Sequence, residues 1–183
     1  MAVIEAIATA YLEADAASVT FSSIPATYEH LQLRASICST DSGASLSGYN
    51  GGLKCRINGQ TAGYWTKTMQ GGDYNGAGSV SAGTWAGGTD DYMTLGYAPT
   101  ADVDGAVYGS VIFNLFDYAN TNKNSTFQNY SGYGLGDPSG EGMSANFISN
   151  LLASYTSAID TILLYGNNNF VRGSEFSLYG IQE

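Results

Sequence analysis

The chain ends on GSEFSLYGIQE, residues 173–183, and this stretch decides the fold. Its apolar residues are Phe176, Leu178, Tyr179 and Ile181. Because the ends of most domains fray unless they are docked, a terminus this apolar has to pack against something. We predict that it is the last strand of the core. Its expected partner or neighbour is AIDTILLY, residues 158–165, across a tight turn at GNNNF, residues 166–170.

Apolar and polar residues alternate along most of the chain, and no window of helical length repeats with a period of 3.6. This pattern predicts an all-β protein. The first alternating segments, IEAIATAYL and SVTFSSI, predict an N-terminal hairpin over residues 1–24. Turn residues separate about eight to ten strands, which is typical of an antiparallel β-sandwich of the jelly-roll kind. We expect a single domain, residues 1–183.

Glycine is concentrated in the middle of the chain. Fifteen of the 24 glycines lie in residues 43–105, where they separate short apolar pieces such as GLKCRING and DYMTLGYA. Glycine adopts backbone conformations that other residues avoid, but it contributes no side-chain packing. We therefore predict short strands joined by long loops in this region.

The most strongly patterned strand, AVYGSVIFNLF in residues 106–116, is apolar on both faces. One face carries Val107, Val111, Phe113 and Leu115, and the other carries Tyr108, Ile112 and Phe116. AIDTILLY repeats this, with Ile162 and Leu164 opposite Ile159, Leu163 and Tyr165. In an isolated sandwich the outer side of a strand should be polar. Either loops or a second subunit must cover it, so Tyr108, Ile112 and Phe116 are candidate interface residues.

The charge of the chain disfavours several partners. Sixteen acidic residues against six basic ones give a formal net charge of −10. Nucleic-acid binding depends on clustered cations, so we expect none. We expect no membrane partner, because no stretch approaches the roughly 20 apolar residues of a membrane span. The first residues also lack the basic start of a secretory signal, which predicts folding in the cytoplasm.

Few side chains offer catalytic chemistry. His30, the only histidine, shares its phase with Gln32 and Arg34, as expected of a structural histidine on the surface. Cys38 and Cys55 would point to opposite faces of neighbouring strands, so we predict that both stay reduced thiols. No spacing of carboxylates indicates a glycosidase. We therefore expect no catalytic residues and no enzyme.

Calcium is the only cofactor that the sequence leaves open. Residues 102–105 and 89–91 place aspartates in glycine-rich segments, yet neither segment has the EF-hand pattern with its closing Glu. Ordinary turn chemistry explains both segments, so we expect no metal and no cofactor.

Aromatic residues in the predicted loops of the middle region provide a second set of candidate contacts. Trp65, Tyr74 and Trp85 lie among the glycines of the middle region. Tryptophan and tyrosine are favoured where a protein stacks on a ligand or meets another protein. These side chains form either a ligand platform or a plug under long loops, and we leave both open.

Three motifs carry a resemblance to a known family. TFSSIPATYEHLQLR, residues 20–34, DYANTNKN, residues 117–124, and GSEFSLYGI, residues 173–181, resemble blocks of a family of tailed-bacteriophage virion proteins and occur in the same order. Where the second block of the family continues with Lys, this chain has Ser125, which weakens any claim for a cation there.

The resemblance implies a β-sandwich on the outside of a virus particle, assembled as a homotrimer and without catalysis. It implies that Tyr28 anchors a strand start and that Gly173 and Gly180 allow tight backbone geometry. From it we expect a virion protein, most simply a capsid decoration or cement protein that binds the major capsid protein or other virion proteins. The alternative is the receptor-binding or carbohydrate-binding head of a tail fibre or spike.

Overall fold

The computed structural model describes residues 3–40, 52–74, 77–101, 107–134 and 143–182. These residues contain twelve β-strands and no helix. The strands are β1 (Val3–Tyr11), β2 (Ala16–Phe21), β3 (His30–Ile37), β4 (Gly52–Ile57), β5 (Tyr64–Tyr74), β6 (Ala77–Asp90), β7 (Met93–Tyr97), β8 (Gly109–Leu115), β9 (Ser125–Gly134), β10 (Met143–Leu152), β11 (Ile162–Phe170) and β12 (Glu175–Gln182).

Two antiparallel sheets pack face to face, which confirms the predicted β-sandwich. One sheet has eight strands in the order β1-β12-β3-β8-β9-β10-β5-β6, and the other has four in the order β2-β11-β4-β7. The number of strands exceeds the predicted eight to ten, because the pair β8–β9 is inserted and each chain end adds a strand, β1 and β12.

The strand order is that of a jelly roll with additions. If β1, β12 and the pair β8–β9 are set aside, eight strands remain, β2 to β7 followed by β10 and β11. Among these eight, the small sheet holds the first, eighth, third and sixth strands, and the large sheet holds the second, seventh, fourth and fifth. This is the arrangement of two interlocked Greek keys. The β8–β9 pair is inserted between β3 and β10.

The core lies between the sheets and follows strand alternation. On β3, Leu31, Leu33 and Ile37 are fully buried, whereas Arg34 and Ser36 point outward and are exposed. On β8, Val111, Phe113 and Leu115 are buried, as predicted. The small sheet contributes inward residues from β2, β4, β7 and β11 to the same continuous core.

The C-terminal strand is part of the core, as predicted from its sequence. β12 lies between β1 and β3, and the side chains of Phe176 and Leu178 are fully buried. The expected hairpin with AIDTILLY is wrong, because β11 belongs to the small sheet and β12 to the large one. The expected turn at GNNNF is also wrong. These residues continue β11 to Phe170, with a register irregularity before it, and the chain turns only afterwards.

The predicted N-terminal hairpin over residues 1–24 is wrong for the same reason. β1 pairs with β12 and β2 pairs with β11, so the first two strands lie in different sheets. The two chain ends cross between the sheets side by side. The amide of Leu12 donates to the carbonyl of Ser174 at 2.9 Å, and the amide of Gly173 donates to the carbonyl of Leu12 at 2.8 Å. Hydrogen bonds between the N-terminal and C-terminal segments thus take the place of the hairpins that were expected within each segment.

The glycine-rich middle region differs from the prediction of short strands and long loops. β5 has 11 residues and β6 has 14, and they pair from Tyr64 and Asp90 to Tyr74 and Ala77. Glycine lowers strand propensity, but backbone pairing does not require a side chain. Within the predicted region, residues 43–51, 75–76 and 102–105 lie outside the described part.

Tyr28 and Gly180 form a close contact that holds the end of β12. A methyl group at Gly180 would lie 2.3 Å from Cγ of the Tyr28 ring, so only glycine admits the ring there. The Tyr28 hydroxyl donates to Oε2 of Glu5 at 3.1 Å. The roles that the resemblance gives to Tyr28 and Gly180 therefore correspond to one packing contact that joins β1, β12 and the segment before β3.

We predict that Gly180→Ala lowers the free energy of unfolding by about 1–3 kcal/mol, because the added methyl overpacks against the Tyr28 ring. In a Tyr28→Ala background the same change should cost clearly less, since the obstructing ring is gone. Urea unfolding of both single variants and the double variant measures this coupling. Gly83→Ala is the control, because nothing lies within 4 Å of a methyl group at that position. Equal costs of Gly180→Ala in the two backgrounds would contradict the assignment.

Candidate functional site

The outward side of the large sheet, called the outer face below, carries a row of large side chains across five strands. Strand register aligns Arg34 of β3, Ile112 of β8, Tyr130 of β9, Phe147 of β10 and Met69 of β5. We call these five residues the outer row. At the usual spacing between strands the row is about 19 Å long.

Most of the outer row is open to solvent. Met69 is 58% exposed, Tyr130 49% and Ile112 41%. The rings of Tyr130 and Phe147 contact each other, with their centroids 5.1 Å apart. Further exposed apolar side chains on this face are Trp65, Val80 and Phe116. A continuous apolar surface of this kind is typical of an interaction site rather than of a free surface.

The polarity of β5, β9 and β10 is partly reversed relative to an ordinary sandwich, although apolar residues such as Phe127 and Ile148 also point inward. Their inward positions hold buried polar side chains, which include Thr66, Asn129, Asn146 and Asn150. Their outward positions hold the apolar residues of the outer row. A sandwich that worked alone would place these two sets the other way round.

Strand β7 explains why polar groups point inward here. It is the edge of the small sheet and lies opposite β9 and β10. The Asn129 amide donates to the carbonyl of Leu95 at 2.6 Å, and the Asn150 amide donates to Oδ1 of Asn129 at 2.9 Å. The Thr66 hydroxyl donates to Oδ1 of Asn150 at 2.5 Å. These side chains stand in for a missing strand partner, because a buried carbonyl without a donor is costly.

We predict that Asn129→Leu lowers the free energy of unfolding by about 1–3 kcal/mol, because it leaves the Leu95 carbonyl without its donor and the Asn150 amide with only its longer bond to the Thr94 carbonyl. Asn129→Leu combined with Asn150→Leu should cost less than the sum of the two, since both members of one bond are removed. Gln128→Leu is the control, because Gln128 is the neighbouring position on the outer face. Chemical denaturation of the four variants tests this, and additive costs would argue against a connected network.

The central outer face carries cations but no carboxylates. The outward positions of β8 and β9, and those of Trp65–Gly71, include no Asp or Glu. Arg34 donates to Oε1 of Gln32 at 2.8 Å and lies over the Tyr179 ring at 4.8 Å. Lys67 donates to the hydroxyl of Thr84. Both cations are hydrogen-bonded to neutral groups, and Glu175 of β12 lies in the same surface hollow as Arg34. Lys67 is therefore the cation that this face presents without a neighbouring carboxylate on its strand segment.

The structure brings some predicted interface residues together and separates others. Ile112 and Phe116 both lie exposed on the outer face, as predicted. Tyr108 does not belong with them. It lies at the end of the sandwich, where its hydroxyl donates to the carbonyl of Arg172 at 2.6 Å and its ring lies against Gly173.

AIDTILLY does not repeat the two-sided pattern fully. Ile162 and Leu164 are buried as predicted, but Ile159 is buried as well, because it precedes β11 and packs in the core. On the outward side, Leu163 and Tyr165 are half-buried.

The predicted aromatic platform is only partly described. Trp65 is exposed on the outer face, on the side of β5 that also carries Met69. The side chains of Tyr74 and Trp85 lie outside the described part of the structure. Trp65 and Ile112 came from separate sequence arguments, and the fold places them on one surface. Sequence reasoning missed Met69, Tyr130 and Phe147, because alternation along a strand does not show which of its two sides faces the core.

His30 supports a turn. Its Nδ1 accepts a hydrogen bond of 3.1 Å from the amide of Asp117, which is in left-handed geometry at the start of the β8–β9 connection. Its ring contacts Phe116 edge to face. The oxygens of Glu29 and Asp117 lie near the ring, and Asp117 also pairs with Lys123. The arrangement fits the predicted structural role, since Nδ1 is already occupied by a backbone donor.

The pKa of the Asp117 carboxyl is lowered, chiefly because Lys123 donates a hydrogen bond to it, with smaller help from the charges of Lys123 and His30. A lowered pKa in the folded state stabilises the protein above the ordinary pKa of Asp, and this contribution is lost as the pH falls through the folded pKa.

We predict that Lys123→Met raises the pKa of Asp117 and destabilises the protein at neutral pH, with a difference from the parent that shrinks at strongly acidic pH. Carboxyl carbon shifts in an NMR titration, and melting curves across this pH range, measure both effects. An unchanged titration of Asp117 would show that the ion pair does not form.

The cysteines and the calcium candidates have structural surroundings. Cys38 and Cys55 are buried thiols in different sheets, so the premise of neighbouring strands was wrong. Burial raises the pKa of the Cys55 thiol, which makes it unreactive. In residues 89–91, Asp90 accepts from the amide of Gly87 at 2.9 Å, and Asp91 pairs with Arg56. Residues 102–105 lie outside the described part.

No family model, curated protein or solved structure matches the chain. The resemblance to the phage virion family therefore stays a prediction. Among the described residues there is no helix that is long and apolar enough to span a membrane.

Proposed function

We propose that the chain is a structural protein of a tailed-phage particle, a capsid decoration protein that binds the head lattice through its outer face. The observation that carries the proposal is the partly reversed polarity of β5, β9 and β10. On these strands Asn129 and Asn150 are buried in the interior, whereas Met69 and Tyr130 are exposed on the outer face. The motifs that resemble phage virion proteins supply the biological setting, and the virion is the proposed location.

The outer row provides the driving force for binding. Full burial of a large apolar side chain is worth about 1.5–3 kcal/mol relative to leaving it exposed. Met69, Tyr130 and Ile112 each have roughly half of their surface still to bury. Because they lie on a paired sheet, no backbone has to become ordered when a partner covers them, and the entropic cost is limited to their side chains.

The charge of the outer face indicates the chemistry of the partner. Lys67 flanks the apolar residues with no Asp or Glu on the outward positions of its own strand segment, whereas Glu175 lies in the same hollow as Arg34. The best partner surface is therefore apolar and carries an acidic group opposite Lys67. Two copies of this face would bring like charges together. This favours the major capsid protein as the occupant over a second copy of the same face.

The proposed homotrimer needs a different contact. β1 forms one edge of the large sheet, and Val3, Ile4 and Tyr11 on it are exposed. Exposed apolar edge strands are normally protected from pairing with other chains. A contact between this edge and a different surface of the next copy is heterologous, and three such contacts can close a ring.

We predict that Met69→Lys and Ile112→Lys each weaken binding to undecorated phage heads at least about tenfold, since each places a charge in the buried interface. Their stability should change by no more than about 0.5 kcal/mol, because both sites are exposed. Thr20→Lys adds the same charge to an exposed position of the small sheet and is the control. Co-sedimentation with heads, quantified by gel, measures the binding.

Two results would count against this proposal. One is normal binding by both outer-row variants. The other is a purified virion that carries only a few copies of the protein, because a decoration protein covers the lattice. The second result would favour the alternative, a receptor-binding head of a tail fibre or spike. For that alternative the exposed Trp65 is the one described member of the predicted aromatic platform.

A further inference from the structure

A groove of about 330 Å³ lies on the outward side of the small sheet. Its lining includes Gly52 and Lys54 of β4, Thr94 and Tyr97 of β7, Tyr92 just before β7, and Asn167 of β11. Thr84 of β6 forms part of the wall. The volume is at the lower end of the usual range for small-molecule sites, about 300–1,000 Å³.

Lys54 is the charged group of this groove, and strand register explains its position. It lies opposite Tyr165 of β11 and Thr94 of β7, while its neighbours Leu53 and Cys55 point into the core. Its Nζ lies 4.3 Å from the centroid of the Tyr92 ring and 6.0 Å from that of Tyr165. Ring faces attract an ammonium group but do not accept its three hydrogen bonds as a carboxylate would.

The neighbouring cation is already neutralised. Arg56 pairs with the carboxylate of Asp91 and also donates from Nε to the Asp91 carbonyl at 2.8 Å. In the described part of the chain, Lys54 forms no ion pair of this kind. The groove therefore presents one positive charge without a carboxylate partner, in a protein whose net charge is −10.

The polar lining narrows the ligand class. Thr94 offers a hydroxyl group that both donates and accepts, and Tyr92 and Tyr97 offer ring surface. A cationic ligand would be repelled by Lys54. A purely apolar ligand would leave the Lys54 ammonium group without a hydrogen-bond acceptor, which is costly.

The geometry points to a site for one acidic sugar residue, such as a uronic or sialic acid within a glycan. Lys54 binds the carboxylate, Tyr92 and Tyr97 contact the ring, and the polar lining binds the hydroxyl groups. The site does not depend on the proposed decoration role, because its charged and aromatic groups lie on or beside the small sheet and include none of the outer row. Only Thr84 in its wall comes from the large sheet.

The test uses the purified full chain and affinity electrophoresis in gels that contain polygalacturonate or, as the neutral comparison, dextran. Calorimetry with methyl glucuronide, methyl glucoside, acetate and phosphate follows. We expect retardation by polygalacturonate only, and calorimetric binding of the glucuronide above all other probes. Lys54→Met should weaken binding about tenfold or more, the usual effect of losing a charge-assisted hydrogen bond. Lys123→Met, which removes the same charge from the β8–β9 connection, should bind as the parent does.

Tyr92→Ala should also weaken the interaction, and Tyr92→Phe should preserve most of it, since the ring carries the contact. Circular dichroism of each variant confirms that it is folded. Equal binding of acetate or phosphate would overturn the sugar assignment in favour of a simple anion site. Equal binding of dextran, normal binding by Lys54→Met, or no binding to either polymer would overturn the proposal itself.

Discussion

The buried carbonyls of strand β7 set the constraint on which the rest of the structure depends. β7 is the last strand of the small sheet, so it has no further strand to hydrogen-bond on that side. Asn129 and Asn150 supply donors from the opposing sheet instead. Side chains alternate along a strand, so the residues that lie between inward-facing polar residues such as Asn129 point outward. Tyr130 and Phe147 lie on this outward side, which therefore carries an apolar surface. The interior hydrogen bonds and the outer row are two sides of one pattern.

The chain ends show a similar exchange of local for distant bonding. Each end is long enough to fold back on itself as a hairpin, yet β1 joins β12 and β2 joins β11. The two crossings between the sheets hydrogen-bond to each other. Leu12 donates to the Ser174 carbonyl and accepts from the Gly173 amide, and the Arg172 amide donates to Asp15 at 2.8 Å. The N-terminal and C-terminal segments are both needed to form the sheet edges at β1 and β2. Contacts between residues this far apart in the chain are slow to form, and a truncation at either end removes a partner from the other.

The sequence predicted burial well and pairing poorly. Alternation alone identified Phe113 and Leu178 as core residues and found the sandwich, because side-chain phase is local information. It placed β1 with β2 and β11 with β12, because nothing local distinguishes a hairpin from two strands that part into different sheets. The outer surface was predicted from Ile112 and Phe116, where both faces of one strand are apolar. Met69, Tyr130 and Phe147 were missed, since the sequence of their strands does not show which side faces the core. Which sides of β5, β9 and β10 face inward depends on β7, and that is a property of the fold.

The two surfaces proposed here belong to different sheets, and this separation has a physical cause. The large sheet was widened by the β8–β9 insertion, which adds Ile112 and Tyr130 to the outer row and makes the apolar surface broad. The small sheet stayed at four strands, and its outward side collected Lys54 and Arg56 beside tyrosine rings. If the wide face binds a lattice, the narrow face points away from it, because the sheets are opposite layers of one sandwich. A groove on that side would remain open to ligands in solution while the protein is attached. Under the two proposals, the chain binds a lattice through one layer and a small acidic group through the other, and neither layer has to rearrange.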